Sequence, residues 1–175
     1  MKIIGLTYLL FLALNVSCKG DVQSTPNMKE QISQNQISSN LNCFVDHAWN
    51  GQNVDSLRSI STENVIRNQN GIEVASNQNE LEANMNIFFT AFPDLHLQLE
   101  HSDIQNDDVY LQWTSTGTNT GIFGESAPTG KKVKLQGISH LHFNAEGKLV
   151  QEDVYYNELE LLQQLGYTLN PPVLE

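Results

Sequence analysis

Apolar residues recur along this chain with two different periods, and the change from one to the other divides it. Ile37, Leu41, Phe44, Val45, Ala48 and Trp49 fall at helical spacing, and Gly51 follows as a C-terminal stop. A short helix is expected over Val54 to Ser59 with Asn53 as its cap, then a short strand over Asn64 to Asn68. Leu81, Met85, Phe88, Phe89 and Phe92 form the stripe of a longer helix. Asn79 with Glu82 three residues on resembles a capping box, and Pro93 ends the run. Beyond it the period becomes two. Leu95, Leu97 and Leu99 alternate with polar residues, Asn106-Asp107-Asp108 turns the chain, and Val109, Leu111 and Trp113 alternate back. Gly121 to Gly130 reads as a loop. Lys131 to Phe143 reads as a long strand with Gly137 as a bulge. Asn144 to Gly147 turns into a last strand, Lys148 to Asn157. Glu158 to Leu165 is a short helix closed by Gly166, and Pro171-Pro172 marks a tail. Helices first and antiparallel strands after predict an α+β fold.

Composition changes this picture at the N-terminus. Lys2 precedes an apolar run, Ile3 to Leu14, that is too short to span a membrane as a mature helix. Leu14-Asn15-Val16-Ser17-Cys18 then reads as a lipobox. On that reading residues 1–17 are a signal peptide, Cys18 carries lipid, and acyl chains tether the protein to a bacterial cell envelope. The alternative is an ordinary secretory signal with an incidental cysteine. The stretch after it, 18–36, is polar and reads as a flexible tether, with one domain over 37–170 and a tail over 171–175. Without Cys18 only Cys43 remains, so no internal disulfide can form. The net charge of -11 in 175 residues argues against a nucleic-acid partner.

Several phrases stand in a telling order: Ala48-Trp49-Asn50-Gly51, Val54-Asp55-Ser56-Leu57, Phe92-Pro93-Asp94-Leu95, Trp113 to Gly121, Pro128-Thr129-Gly130-Lys131-Lys132-Val133 and Leu161-Leu162-Gln163-Gln164-Leu165-Gly166. Together they resemble the SnoaL-like polyketide cyclases, or ester cyclases, of the NTF2-like superfamily, across roughly residues 37 to 168. The resemblance implies a cone: N-terminal helices on a strongly curved antiparallel sheet, enclosing a pocket. It also implies enzymes that work without metal or cofactor. In them a carboxylate, often helped by His, takes a proton next to a carbonyl of a small apolar compound. That superfamily includes non-catalytic binders as well, and it often dimerises through its sheet.

Relatives often read Glu-His-Trp-Asp-x-x-Asp before the closing Leu-Leu-x-Gln-Leu-Gly. Counted back from Gly166, those two Asp positions fall on Val154 and Asn157. Asp153 is one residue off, and a one-residue shift reverses the face of a strand. Asp153 is therefore the candidate base, with His140 on the neighbouring strand as its partner, and a structural Asp at a strand end is the competing reading. Asn68 and Asn119 stand where relatives often carry His, and Asn157 stands for Asp. Each keeps a hydrogen-bonding group and loses a titratable one. Asn68, Trp113, Asn119, His142, Tyr155 and Asn157 are the candidate ligand-binding residues. His140 and His142 could form half a metal site, but further ligands are missing from the sequence, and no metal is expected. Cys43 and His47 share a helix face, where a core cysteine is the simpler reading. Three functions stay open: cyclisation, isomerisation or hydrolysis by cofactor-free proton transfer; a non-catalytic ligand-binding module on the envelope; and a homodimerisation platform.

Overall fold

The computed structural model describes residues 28–170, with side chains from 34 onward, so the signal and lipidation readings at 1–18 and the tail lie outside the described residues. The first helix, α1 (Met28–Asn42), continues as one π-helical stretch, Cys43–Trp49. It begins nine residues before the expected domain start, inside the stretch whose polar composition suggested a tether. Ile37 and Leu41 are buried, so the later turns of α1 are held by packing, and polar composition alone underestimates them. The wider π turn brings Phe44, Val45, Ala48 and Trp49 inward together. Asn53 caps α2 (Val54–Ile60), accepting from the backbone of Asp55 and Ser56.

Strand β1 (Ser61–Gln69) turns through Asn70-Gly71, both at positive φ, into β2 (Ile72–Ala75). Asn-Gly is the preferred pair for this type of hairpin turn. Helix α3 (Gln78–Ala91) begins two residues earlier than expected. Asn77 accepts from Asn79 and Glu80 backbone amides, and Glu80 accepts back from Ser76. The capping box is thus Asn77 with Glu80, while Asn79 and Glu82 both take the guanidinium of Arg58. Leu81, Met85 and Phe89 put one apolar stripe of α3 into the core.

Strands β3 (His96–Gln105), β4 (Asp108–Thr118), β5 (Lys132–Phe143) and β6 (Leu149–Tyr156) form a meander, and α4 (Glu158–Leu165) closes the chain. The sheet order is β2-β1-β6-β5-β4-β3. One pair, β1 with β6, is parallel, so the expected all-antiparallel sheet is mixed at that seam. β3 is bulged between Leu99 and His101. Gly137 is no bulge, because β4 and β5 pair without a register break across it. It is glycine because the Trp113 indole lies flat against it: a Cβ there would sit 2.3 Å from Trp113 Cζ2.

Candidate functional site

The strands alternate side chains between the two faces of the sheet. One face and the helices enclose a cavity with about 560 Å3 of empty space, its mouth included. Leu111 and Trp113 of β4, Leu135 of β5 and Val154 of β6 form its apolar floor. Phe44 and Trp49 from the π-helical turn and Phe88 from α3 roof it, Trp49 meeting Phe44 and Phe89 edge-on. Gly137 matters here, because the room it leaves lets Trp113 lie along the floor and donate from Nε1 to Ser139 Oγ at 3.1 Å.

Charge enters the lining only through Arg67 and Glu152. The parallel register sets Arg67 of β1 directly beside Glu152 of β6. Arg67 donates from its terminal nitrogen to Glu152 Oε2 at 2.9 Å, and Ser139 donates to Glu152 Oε1 at 3.3 Å. Residues Glu152 and Arg67 are only 2% and 3% exposed. The guanidinium also lies 5.0 Å from the Trp49 ring centroid, a cation–π contact. Burial pushes the Glu152 carboxyl above its ordinary value, against the opposing pull of the Arg67 charge and the Ser139 hydrogen bond. Tyr156 stands four residues on, on the same face. Its phenol is pushed up to about 12, chiefly by burial and next by the Glu158 charge. Gln69 neighbours that phenol, yet Tyr156 Oη, Gln69 Oε1 and Arg67 Nε are all buried without a hydrogen-bond partner. An acid–base group with a donor beside it, in an apolar enclosure, can move a proton next to a carbonyl and hold the oxygen that becomes negative.

The expected pair Asp153 and His140 does come together, with Oδ2 and Nδ1 3.7 Å apart, but on the opposite face of the sheet. Asp153 accepts there from Asn68 at 2.7 Å and from Gln151 at 2.9 Å. His140 bonds Asp108 at 2.7 Å and stacks on Tyr110, and His142 bonds the same Asp108 oxygen at 2.9 Å. These two histidines hold the Asp108 carboxyl below its ordinary value, His142 first. Tyr155 shares that outer face and is about half exposed. Asp153, His140, His142, Asn68 and Tyr155 therefore do not line the cavity. The reason is the period-two geometry of strands: Glu152, Val154 and Tyr156 face in, so Asp153 and Tyr155 face out.

Of the remaining candidates, Trp113 lines the cavity. Asn119 is buried as a loop staple, donating to the carbonyls of Ala91 and Gly121 and accepting from Thr129 N and Oγ1. Asn157 caps α4 through the backbone of Glu160. Cys43 is half-buried against the core and His47 is exposed. Sequence reasoning missed Glu152, Arg67, Ser139 and Tyr156. A signal for two of them was present: if Val154 occupies an inward position, Glu152 and Tyr156 share its face. Nothing in the sequence pointed to Arg67, whose place depends on the parallel pairing of β1 with β6.

The family model for the SnoaL-like polyketide cyclases matches residues 39–165. None of the curated proteins matches the chain. Among solved structures, AclR of Streptomyces galilaeus, described as a candidate hydroxylase, is 26% identical with a TM-score of 0.68, covering 79% of this chain and 85% of AclR. A candidate SnoaL-like polyketide cyclase from Jannaschia sp. CCS1 is 19% identical with a TM-score of 0.71, covering 85% of this chain and 99% of its own. IdmH of Streptomyces antibioticus, a candidate polyketide cyclase, is 16% identical with a TM-score of 0.64, covering 75% of this chain and 99% of IdmH. The last two likenesses carry the fold.

Proposed function

The chain belongs to the SnoaL-like polyketide cyclase family, and from that premise we propose that it is a cofactor-free acid–base enzyme acting on a small, mostly apolar carbonyl compound. The observation that carries this reading is Glu152: one carboxylate, buried in an apolar cavity, oriented by Ser139 and charge-balanced by Arg67. Glu152 takes the proton from the carbon next to the carbonyl. The C–H electron pair moves into the enolate, whose oxygen is held by the Tyr156 hydroxyl and the free Arg67 Nε–H. The enolate then closes a ring on a second carbonyl, shifts a double bond or expels a leaving group, and Glu152 returns its proton. The Arg67 charge beside the carboxylate keeps an ionised Glu152 tolerable in a dry site.

Exchange into deuterium tests this without a known substrate. With 2-octanone in D2O, the protein accelerates replacement of the hydrogens flanking the carbonyl, read by proton NMR. Glu152→Gln lowers that acceleration by about a hundredfold or more. No acceleration by the native protein contradicts the enzyme reading and favours a non-catalytic binder. The specific observation on that side is that, apart from Arg67 and Glu152, the cavity lining carries no charged side chain.

The same reading includes a lipid tether at Cys18 to a bacterial envelope, supported by the apolar run and the Val16-Ser17-Cys18 sequence. Cys18→Ser is expected to move the protein from the membrane fraction to the soluble fraction; retention at the membrane contradicts it. Pairing of two copies through the outer sheet face also belongs here, supported by Tyr110, Ile138 and Tyr155, which are exposed there by 47%, 57% and 47%.

A further inference from the structure

The cavity does not stop at its apolar wall. A second, smaller space, about 260 Å3 with its opening to solvent included, adjoins it, and Phe88, Leu95, Ser115 and Leu135 wall both. This branch runs beneath α3 toward the C-terminal helix. Phe92 comes from the end of α3, Leu161 from α4 and Val133 from β5, where it pairs with Gly117. Its lining contains no ionisable side chain; Ser115 and Thr116 supply the only polar side chains. The joined space is therefore asymmetric along its length. Arg67, Glu152, Ser139 and Tyr156 stand at one end, and aliphatic and phenyl groups at the other.

We propose that this branch is the seat of an apolar tail, and that the ligand is an elongated amphiphile with its carbonyl at the Glu152 end and a hydrocarbon chain reaching Val133 and Leu161. The placement of the head rests on the proposed function above; the placement of the tail rests on the branch alone. A branch without charges offers a ligand nothing but removal of apolar surface from water, which grows with each methylene buried. On this proposal the chain crosses from one space to the other beside Phe88 and Leu135, which wall both.

A homologous series of methyl ketones, from 2-pentanone to 2-dodecanone, tests this by direct binding. The chain has two tryptophans, Trp49 and Trp113, and both line the cavity, so quenching of their fluorescence by a bound ketone carbonyl reports occupancy. Affinity is expected to rise about fourfold per methylene and then to level off when the branch is full. Val133→Phe fills the branch and moves the plateau to shorter chains, leaving 2-pentanone affinity unchanged. Val133→Ala enlarges it and moves the plateau to longer chains, which keeps the test open should the larger residue prevent folding. Affinity independent of chain length overturns the proposal, as does a plateau that neither variant moves, or an equal loss for 2-pentanone and 2-decanone in Val133→Phe. Deuterium exchange separates the two readings. A chain-length series with no exchange sinks the enzyme and leaves the tail seat standing. Exchange abolished by Glu152→Gln, with a plateau blind to Val133, does the reverse.

Discussion

At Glu152 the folded state holds a proton more tightly than the unfolded chain does, because burial outweighs the help from Arg67. Two consequences follow from the sign. A base must be ionised to act, so kcat/KM should fall on the acid side with an apparent pKa above the ordinary Glu value of 4.5. Stability should move the other way: between that ordinary value and the folded one, the folded state binds more protons, so Glu152 makes stability decline as pH rises. Melting temperatures across pH, native against Glu152→Gln, check this. The native protein is expected to lose stability relative to the variant as pH climbs through that window, and parallel curves would contradict the assignment. No basic limb from Tyr156 is expected below about 12. The site was only partly legible at this scale. Trp113 lines the cavity, and Asp153 and His140 do meet across adjacent strands. Their outward face follows from Val154, not the acidic residue, holding the inward position. Arg67 could not be found, since a lone arginine in a short strand has no periodic signature and its partner lies 85 residues away.

Among the elements, the strand pair β4–β5 does most to shape the cavity, through Gly137 and the Trp113 ring laid against it. Gly137→Ala would place a methyl 2.3 Å from that ring, so either the indole swings into the cavity or the strands part. A loss of about 1–3 kcal/mol is expected in urea unfolding, together with weaker ketone binding; unchanged stability and binding would show that the ring has room to give. Helices α2, α3 and α4 and the meander were readable because caps, stops and period-two runs agree locally. Three features were not. The capping box at Asn77 and Glu80 was hidden by a second asparagine–glutamate pair at the same spacing, Asn79 and Glu82, which Arg58 uses instead. Strand β2 is four residues long with its first two residues exposed, so alternation could not mark it, and the Asn70-Gly71 turn before it is absent from the sequence reading. The later turns of α1 are held by contacts distant in sequence, such as Asn40 donating to the carbonyl of Gly147 at 2.6 Å, which composition cannot express.

For the whole molecule, the two faces of one sheet carry two different chemistries. The inner face is apolar, with a single ion pair at one end. The outer face carries a belt of polar bonds across four strands, from Asn68 through Asp153 and His140 to Asp108 and His142. The family's fold was legible from glycines, prolines and strand alternation, whereas assigning chemistry to a face required the strand register. On the function proposed above, proton transfer belongs to the inner face. The deuterium exchange of 2-octanone tests this in Glu152→Gln and Asp153→Asn, changes at adjacent residues on opposite faces. Glu152→Gln is expected to lose about a hundredfold or more, while Asp153→Asn stays close to the native rate. Loss in Asp153→Asn with exchange intact in Glu152→Gln would contradict it and return the chemistry to the outer face.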